Sequence, residues 1–176
     1  NDMTQKTARD TFKNLKIPRI LSVANQKGGV GKTTTSVNLA TALSAIGQKV
    51  LLVDLDPQGN ASTGLGVKRA GLRTSTYDII FDDASVEETV KKTKVPGLDV
   101  LPSSIHLSGA EIELVGASKR EFRLKNALRR PMEYDYVIID CPPALNLLTI
   151  IDNFSFTIPS TPSEPTQNTF SGLSPS

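Results

Sequence analysis

The chain has 176 residues, of which 38% are hydrophobic, so it can bury the core of one domain. Its formal net charge of +2 neither requires nor excludes an acidic partner such as DNA. The single cysteine, Cys141, excludes an internal disulfide and a thiolate metal cluster, and we interpret it as a small buried residue in a reducing compartment. No apolar run approaches the roughly 18 residues that a membrane span needs, so we expect a cytoplasmic location.

Short apolar runs alternate with helical patterns near the start of the chain. Residues 1–18 are polar and mixed in charge, and we interpret them as a leader. Residues 20–24 are apolar and precede a glycine-rich loop, which predicts a buried parallel strand. Apolar residues recur at three- and four-residue spacing over 32–46 and Gly47 follows as a stop signal, so a helix is predicted there. Residues 50–53 predict a second strand, which ends in a turn.

The same alternation continues through the middle of the chain. A short helix is predicted over 85–92, because a serine N-cap is followed by glutamate at the third position. Two further strands are predicted at 98–101 and 136–140, and two helical patches at 109–115 and 119–128. Strands that alternate with helices indicate an α/β domain with a parallel sheet and right-handed crossovers.

The composition changes after Ile150. More than half of residues 151–176 are Ser, Thr or Pro, and none is Lys or Arg. Four prolines disfavour a long helix, so we expect this tail to be irregular or disordered. The predicted organisation is a leader at 1–18, a domain at 19–150 and the tail.

Glycine and lysine are concentrated where the first strand meets the first helix, in a segment that reads ANQKGGVGKTTT over 24–35. Backbone N–H groups and the positive end of the helix dipole meet there, and together they bind phosphate. Glycines let the backbone approach phosphate oxygens, Lys32 supplies a positive charge, and Thr33 offers a hydroxyl to Mg²⁺. The pattern G-x-x-x-x-G-K-[ST] is incomplete, because Gln26 stands at its first glycine.

Three aspartates stand at the ends of predicted strands. Asp54 and Asp56 follow the second strand, and Asp140 ends the fourth. The carboxyl ends of parallel strands open into one crevice, so we expect these acids to face the glycine loop. A phosphate-bound metal needs carboxylates to hold its waters, and hydrolysis needs a group to orient the attacking water. From spacing alone, Lys27 is either a solvated loop lysine or a group that reaches a nucleotide held by another subunit.

These segments resemble three motifs of the ParA/MinD family of ATPases. The sequence KGGVGKTT at 27–34 is similar to the family's deviant Walker A loop. VDLDPQGN at 53–60 is similar to its Walker A′ segment, and VIIDCPP at 137–143 to its Walker B strand. The motif sequences are most similar to those of the chromosome- and plasmid-partitioning ParA (Soj-type) branch. The resemblance covers about residues 19–150.

The resemblance implies a P-loop NTPase-like parallel sheet flanked by helices and incomplete at its C-terminal side, with ATP and Mg²⁺ as cofactors. It implies catalytic roles for Lys27, Lys32 and Asp56. It implies that the cofactor is bound by Lys27, Gly28, Gly29, Val30, Gly31, Lys32, Thr33 and Thr34. It implies a metal site supported by Thr33, Asp54 and Asp140.

The resemblance also implies partners: a homodimer that sandwiches ATP, with Lys27 crossing to the other subunit's nucleotide, a ParB-type protein that stimulates hydrolysis, and non-specific DNA. Beyond the region that corresponds to Ile150, family members continue with strands and helices that carry adenine contacts and basic DNA-binding residues. Here the tail replaces them, so we expect the DNA-binding region to be missing. We expect no membrane association of the MinD kind, because the tail offers no basic amphipathic helix.

Two other functional classes are alternatives to a partition ATPase. One is a truncated, catalytically impaired module that binds nucleotide or a partner without turnover. The other is a small-molecule enzyme on the same scaffold, similar to dethiobiotin synthetase, which would need a substrate pocket that the sequence does not indicate. We interpret the single histidine, His106, as a surface or packing residue. A nitrogenase-reductase-like role is excluded because Cys141 has no second cysteine to bridge a cluster.

Overall fold

A computed structural model describes residues 15–24, 31–109, 121–142 and 157–159. The strands are β1 (Arg19–Ala24), β2 (Val50–Asp54), β3 (Lys91–Lys92), β4 (Leu98–Leu101), β5 (Tyr136–Asp140) and β6 (Thr157–Pro159). The α-helices are α1 (Lys32–Ala45), α2 (Asn60–Gly64), α3 (Thr76–Phe81), α4 (Val86–Thr89) and α5 (Glu121–Leu128), and a 3-10 helix spans Ile105–Gly109. Within these ranges no helix is both long and apolar enough to cross a membrane.

The strands form one sheet in the order β3-β4-β2-β5-β1-β6. Its pairs are parallel apart from the β3–β4 pair, which is antiparallel. The parallel strands β1, β2 and β5 are neighbours, so their carboxyl ends lie together at one edge of the sheet. That edge is where the sequence predicts phosphate-binding and acidic residues.

Apolar side chains cover both faces of the sheet because successive strand residues point to opposite sides. Leu51 and Val53 of β2 belong to a cluster that includes residues of α3 and α5. Leu52, with Val50, belongs to a second cluster that includes Ala40 of α1 and Ala61 of α2. A parallel strand buried on both faces reads as a continuous apolar run, which explains why β2 was recognisable from sequence.

Helix α1 packs closely on the sheet because its buried face is made of small side chains. Ser36, Ala40 and Ser44 are buried at four-residue intervals, and Lys32 opens the same stripe. The helix begins after Gly31, whose φ of 81° is accessible to glycine without strain. This geometry directs the first turn of α1 towards the carboxyl ends of the strands.

Most of the predicted elements are confirmed, and two segments differ. The four predicted strands correspond to β1, β2, β4 and β5, and the patch at 119–128 corresponds to α5. The helix predicted over 85–92 is wrong beyond Thr89, because residues 91–92 pair with β4 at the edge of the sheet instead of continuing the helix. The tail was expected to be irregular, yet Thr157–Pro159 pairs with β1.

Other predictions concern residues that are only partly described. Residues 1–14 of the predicted leader and 110–115 of the first helical patch lie outside the described residues. At the end of the leader, the backbone of Lys16 exchanges two hydrogen bonds with Met132, at 3.0 and 2.9 Å. The leader therefore contacts the domain just before β1 begins.

Candidate functional site

The ends of β2 and β5 place two acids side by side. Asp54 and Asp140 are register partners in the parallel pair, and each is 0% exposed. The first turn of α1 lies against the same edge and supplies Lys32 and Thr33. The described residues that were predicted from separate motifs thus come together at one place.

Asp140 lies at the centre of this cluster. Its Oδ2 accepts a hydrogen bond from the Thr33 hydroxyl at 3.0 Å. Its Oδ1 lies 3.0 Å from the Ser36 hydroxyl and 3.3 Å from the Lys32 ammonium. Because a buried carboxylate is costly without hydrogen bonds and a counter-charge, these three side chains account for its position.

Lys32 joins the two acidic segments of the site. Its side chain is 10% exposed, and its ammonium lies 3.8 Å from Oδ2 of Asp56 as well as near Asp140. The ammonium also donates a hydrogen bond to the carbonyl of Cys141. A nearly buried cation between two carboxylates is a compact charge that can face further anionic groups at the open edge.

Asp54 has a different environment, made of neutral donors. Its Oδ2 accepts from the Ser62 backbone N–H at 2.9 Å and from the Ser62 hydroxyl at 2.6 Å. Its Oδ1 accepts from the Asp56 N–H at 3.1 Å. Burial raises the pKa of Asp54 to about 6 despite the hydrogen bonds from Ser62, and the nearby charge of Asp140 raises it further.

Asp56 sits on a tight turn that leaves its carboxylate partly accessible. Its side chain is 16% exposed, and its Oδ1 accepts from the Gln58 N–H at 3.0 Å. The Asp56 carbonyl accepts from the Gly59 N–H at 2.8 Å, which closes the turn before α2. This carboxylate therefore combines a fixed backbone with contact to solvent, as a group that orients water requires.

Cys141 contributes to the site through its backbone. The residue is 0% exposed, and burial raises the pKa of its thiol to about 12, so the thiol stays neutral. This agrees with its interpretation as a small buried residue.

Some predicted site residues lie outside the described residues, and two residues that contact the buried acids were not predicted. Lys27, Gly28, Gly29 and Val30 fall outside the described residues. Gly31 and Thr34 are exposed at the start of α1. Ser36 and Ser62, which hold the two buried acids, were missed. Helical spacing could have found Ser36, since it lies one turn after Lys32 and Thr33.

The donor set fits a magnesium ion better than a metal held by a protein cage. Among the residues that the structure describes, no group of three or more His, Cys, Asp or Glu side chains is placed to hold a metal ion. The Thr33 hydroxyl and the Asp140 carboxylate are hard oxygen donors 3.0 Å apart. Magnesium keeps several waters and uses few protein ligands when it binds phosphates, so this sparse set suits it.

Comparisons with known proteins identify a matching family and several relatives. A family model described as an AAA domain, AAA_31, matches residues 18–172. Sporulation initiation inhibitor protein Soj of Bacillus subtilis is 59% identical over 133 residues, which cover 75% of this chain and 53% of Soj. Chromosome partitioning protein ParA of Caulobacter vibrioides is 56% identical over 135 residues, which cover 75% of this chain and 51% of ParA.

The chain belongs to the ParA/MinD family of P-loop ATPases. It spans about half the length of the curated relatives it matches. The solved structure of cobyrinic acid a,c-diamide synthase from Mycobacterium smegmatis, with bound ATP analogue and magnesium, is 44% identical at a TM-score of 0.70, covering 76% of this chain and 55% of that one. The match to the family model extends beyond Ile150 and includes β6.

Proposed function

We propose that this chain is the nucleotide-binding part of a ParA-type ATPase that binds and hydrolyses Mg-ATP to drive chromosome or plasmid partitioning. The observation that carries the proposal is the cluster of Lys32, Thr33, Asp56 and Asp140 at the carboxyl ends of the parallel strands. A strand, a loop and a helix that begins with Lys-Thr form a phosphate site when acids face them. The names of the Soj and ParA relatives support partitioning as the process.

Each residue of the cluster has a proposed role. Lys32 neutralises the outer phosphates of the nucleotide, and the Thr33 hydroxyl and Asp140 hold Mg²⁺, Asp140 through water. The ion supplies positive charge that offsets the charge developing on the transferred phosphoryl group. The Thr33 hydroxyl lies 3.0 Å from the Asp140 carboxylate. This distance favours the two proposed roles, because one side chain can bind the ion while the other orients its waters.

The two remaining aspartates have supporting and catalytic roles in this proposal. Asp56 positions the attacking water, since its carboxylate is partly accessible and lies close to Lys32. Asp54 supports the metal site from behind, because its hydrogen bonds with Ser62 and the Asp56 N–H fix the end of β2. This assigns Asp54 an indirect part in the metal site.

The remaining proposed roles rest on the similarity of the motif at 27–34 to the family's deviant Walker A loop. Residues 28–31 and Thr34 cradle the phosphates with their backbone N–H groups. Lys27 reaches the nucleotide of a second subunit across an ATP-sandwich homodimer. A ParB-type protein stimulates hydrolysis, and the dimer binds DNA without sequence preference in the cytoplasm. The matched segment is about half the length of the Soj and ParA relatives.

The alternative is a truncated, catalytically impaired module of the same family. Such a module would retain the phosphate site and bind nucleotide without turnover.

ATP binding, ATP hydrolysis and ATP-dependent DNA binding by the 176-residue chain test the proposal, with Lys32→Ala as the site variant. We expect the wild type to bind and hydrolyse ATP, and Lys32→Ala to lose at least roughly 100-fold in affinity or turnover. Lys49→Ala is a matched control, because Lys49 forms an exposed ion pair with Glu133 at 3.3 Å. Binding without turnover in the wild type would select the impaired module. Equal ATP affinity in wild type and Lys32→Ala would refute the assigned site.

A further inference from the structure

Arg69 contacts the turn that carries Asp56 from twelve residues further along the chain. Its Nη1 donates a hydrogen bond to the Pro57 carbonyl at 2.7 Å. The guanidinium also lies directly over Gly59, where an added Cβ would be 2.4 Å from both Cζ and Nε. Gly59 has a φ of 66°, a left-handed conformation that favours glycine. The absence of a Cβ also leaves the space that the Arg69 guanidinium occupies.

The other hydrogen bonds that shape this turn are local. Gln58 N–H donates to the Asp56 carboxylate, and Gly59 N–H donates to the Asp56 carbonyl. Those bonds close the turn at Asp56–Gly59, and the Lys32 ammonium holds the Asp56 carboxylate at 3.8 Å, but none of them fixes the Pro57–Gly59 backbone against another part of the domain. The Arg69 bond does so, and a hydrogen bond from a charged donor is stronger than a neutral one.

We propose that Arg69 is a positioning residue that holds the Asp56–Gly59 turn so that the Asp56 carboxylate faces the nucleotide site. The inference rests on the proposed function, because the water that Asp56 would orient belongs to ATP hydrolysis. Arg69 acts through the Pro57 carbonyl and the surface of Gly59. A planar guanidinium can cover a glycine and donate from its edge at once, which a lysine ammonium cannot do.

Arg73 provides a matched control. Both arginines line one cavity of about 450 Å³, together with residues such as Ser103 and His106. Arg73 is exposed, and within the described residues no hydrogen bond or ion pair joins it to the Asp56–Gly59 turn. Removing Arg73 changes the charge and the cavity as removing Arg69 does, but leaves the turn held.

Hydrogen–deuterium exchange of the full chain without nucleotide tests the structural half of the inference. In Arg69→Ala we expect the Gly59 amide to exchange about tenfold faster, because the turn opens more often when its contact with Arg69 is lost. Arg73→Ala should exchange like the wild type. Equal protection of Gly59 in Arg69→Ala and Arg73→Ala would overturn the inference.

Steady-state ATP hydrolysis tests the catalytic half. We expect Arg69→Ala to lower kcat by about tenfold or more with KM nearly unchanged, because water orientation fails while phosphate binding by Lys32 remains. Arg69→Lys should recover only part of the loss, and Arg73→Ala should match the wild type. An unchanged kcat, or a loss seen only in KM, would contradict the inference.

A double variant separates the Arg69 contact from general damage to the turn. Gly59→Ala would displace the guanidinium and strain the backbone, and only the first effect needs Arg69. The combined kcat loss of Arg69→Ala and Gly59→Ala should therefore be smaller than the product of the single losses, whereas independent effects would multiply and oppose the inference. If the wild type does not hydrolyse ATP, the proposed function fails, and the exchange result alone decides whether Arg69 holds the turn.

Discussion

The ends of β2 and β5 carry the same residue at paired positions, but the two aspartates are stabilised in different ways. Asp140 lies 3.3 Å from the Lys32 ammonium and accepts hydroxyl hydrogen bonds from Thr33 and Ser36. Asp54 is equally buried, but its hydrogen bonds come from the backbone and hydroxyl of Ser62 and from the Asp56 backbone. Burial raises the pKa of Asp54 to about 6.

The comparison shows that position at a strand end does not by itself set the role of a carboxylate. The Lys32 ammonium supplies a counter-charge 3.3 Å from Asp140, so this acid lies where a cation or a phosphate group can be organised. Neutral donors only partly offset the cost of burying the Asp54 carboxylate. This acid is better suited to hold the backbone of the Asp54–Gly59 segment through its hydrogen bond with the Asp56 N–H. The predictions below test that difference from the largest expected effect to the smallest.

Lys32→Ala should cause the largest loss of stability, because it leaves Asp140 buried without its counter-charge. Removing one partner of a buried ion pair costs about 4 kcal/mol in the free energy of unfolding. Urea denaturation at pH 7.5 measures this loss. Lys49→Ala is the control, since its surface pair with Glu133 is worth about 0.5 kcal/mol. Similar losses in the two variants would show that the Lys32 ammonium does not stabilise Asp140.

Asp54→Asn should flatten the pH dependence of stability between about pH 4 and 6. The folded pKa of Asp54 is about 6 against an ordinary value of 3.8, so the folded state holds this proton more tightly than the unfolded chain does. The stabilisation is complete below about pH 4 and is lost as the pH rises through 6. The loss is roughly 3 kcal/mol at 1.36 kcal/mol per pKa unit.

Urea denaturation of the wild type and Asp54→Asn across this pH range measures the effect. The asparagine variant cannot titrate at this position, so its free energy of unfolding should lack that decline. An identical pH profile in both proteins would mean that Asp54 has an ordinary pKa.

The two serines should differ in their effect. Ser62→Ala removes a hydroxyl from an acid that has only neutral donors, and we expect a loss of about 2 kcal/mol at pH 7.5. Ser36→Ala leaves Asp140 with Lys32 and Thr33, so the expected loss is about 1 kcal/mol. Thermal or urea denaturation of both variants checks the order. A larger loss in Ser36→Ala would reverse the interpretation of the two acids.

Much of the fold could be predicted because its signals are local in sequence. The buried strands are uninterrupted apolar runs, and Gly31, Lys32 and Thr33 stand where one strand gives way to a helix. Parallel pairing then brings the ends of those strands to one edge, so the sequence predicts that Asp54, Asp56 and Asp140 lie together there.

The features that were missed depend on contacts between distant parts of the chain. Residues 91–92 follow a helix-like sequence, but they pair with β4, and Lys92 lies 2.7 Å from Asp99. Thr157–Pro159 looks irregular by composition, yet β1 offers it an open edge with which to pair. Nothing in the spacing of Ser62 or Arg69 indicates that these residues hold the Asp54–Gly59 segment. Tertiary contacts override local preference at such positions.

The most direct test of the account is the magnesium dependence of ATP binding in Asp140→Asn and Asp54→Asn. Calorimetric titration of each 176-residue variant with ATP, once with Mg²⁺ and once with EDTA, gives the enhancement due to the ion, and thermal unfolding checks that each variant is folded. We predict at least about tenfold tighter binding with Mg²⁺ in the wild type and in Asp54→Asn, and less than about twofold in Asp140→Asn. Full enhancement in Asp140→Asn, or a loss in folded Asp54→Asn as large as in Asp140→Asn, would contradict the roles assigned to the two acids.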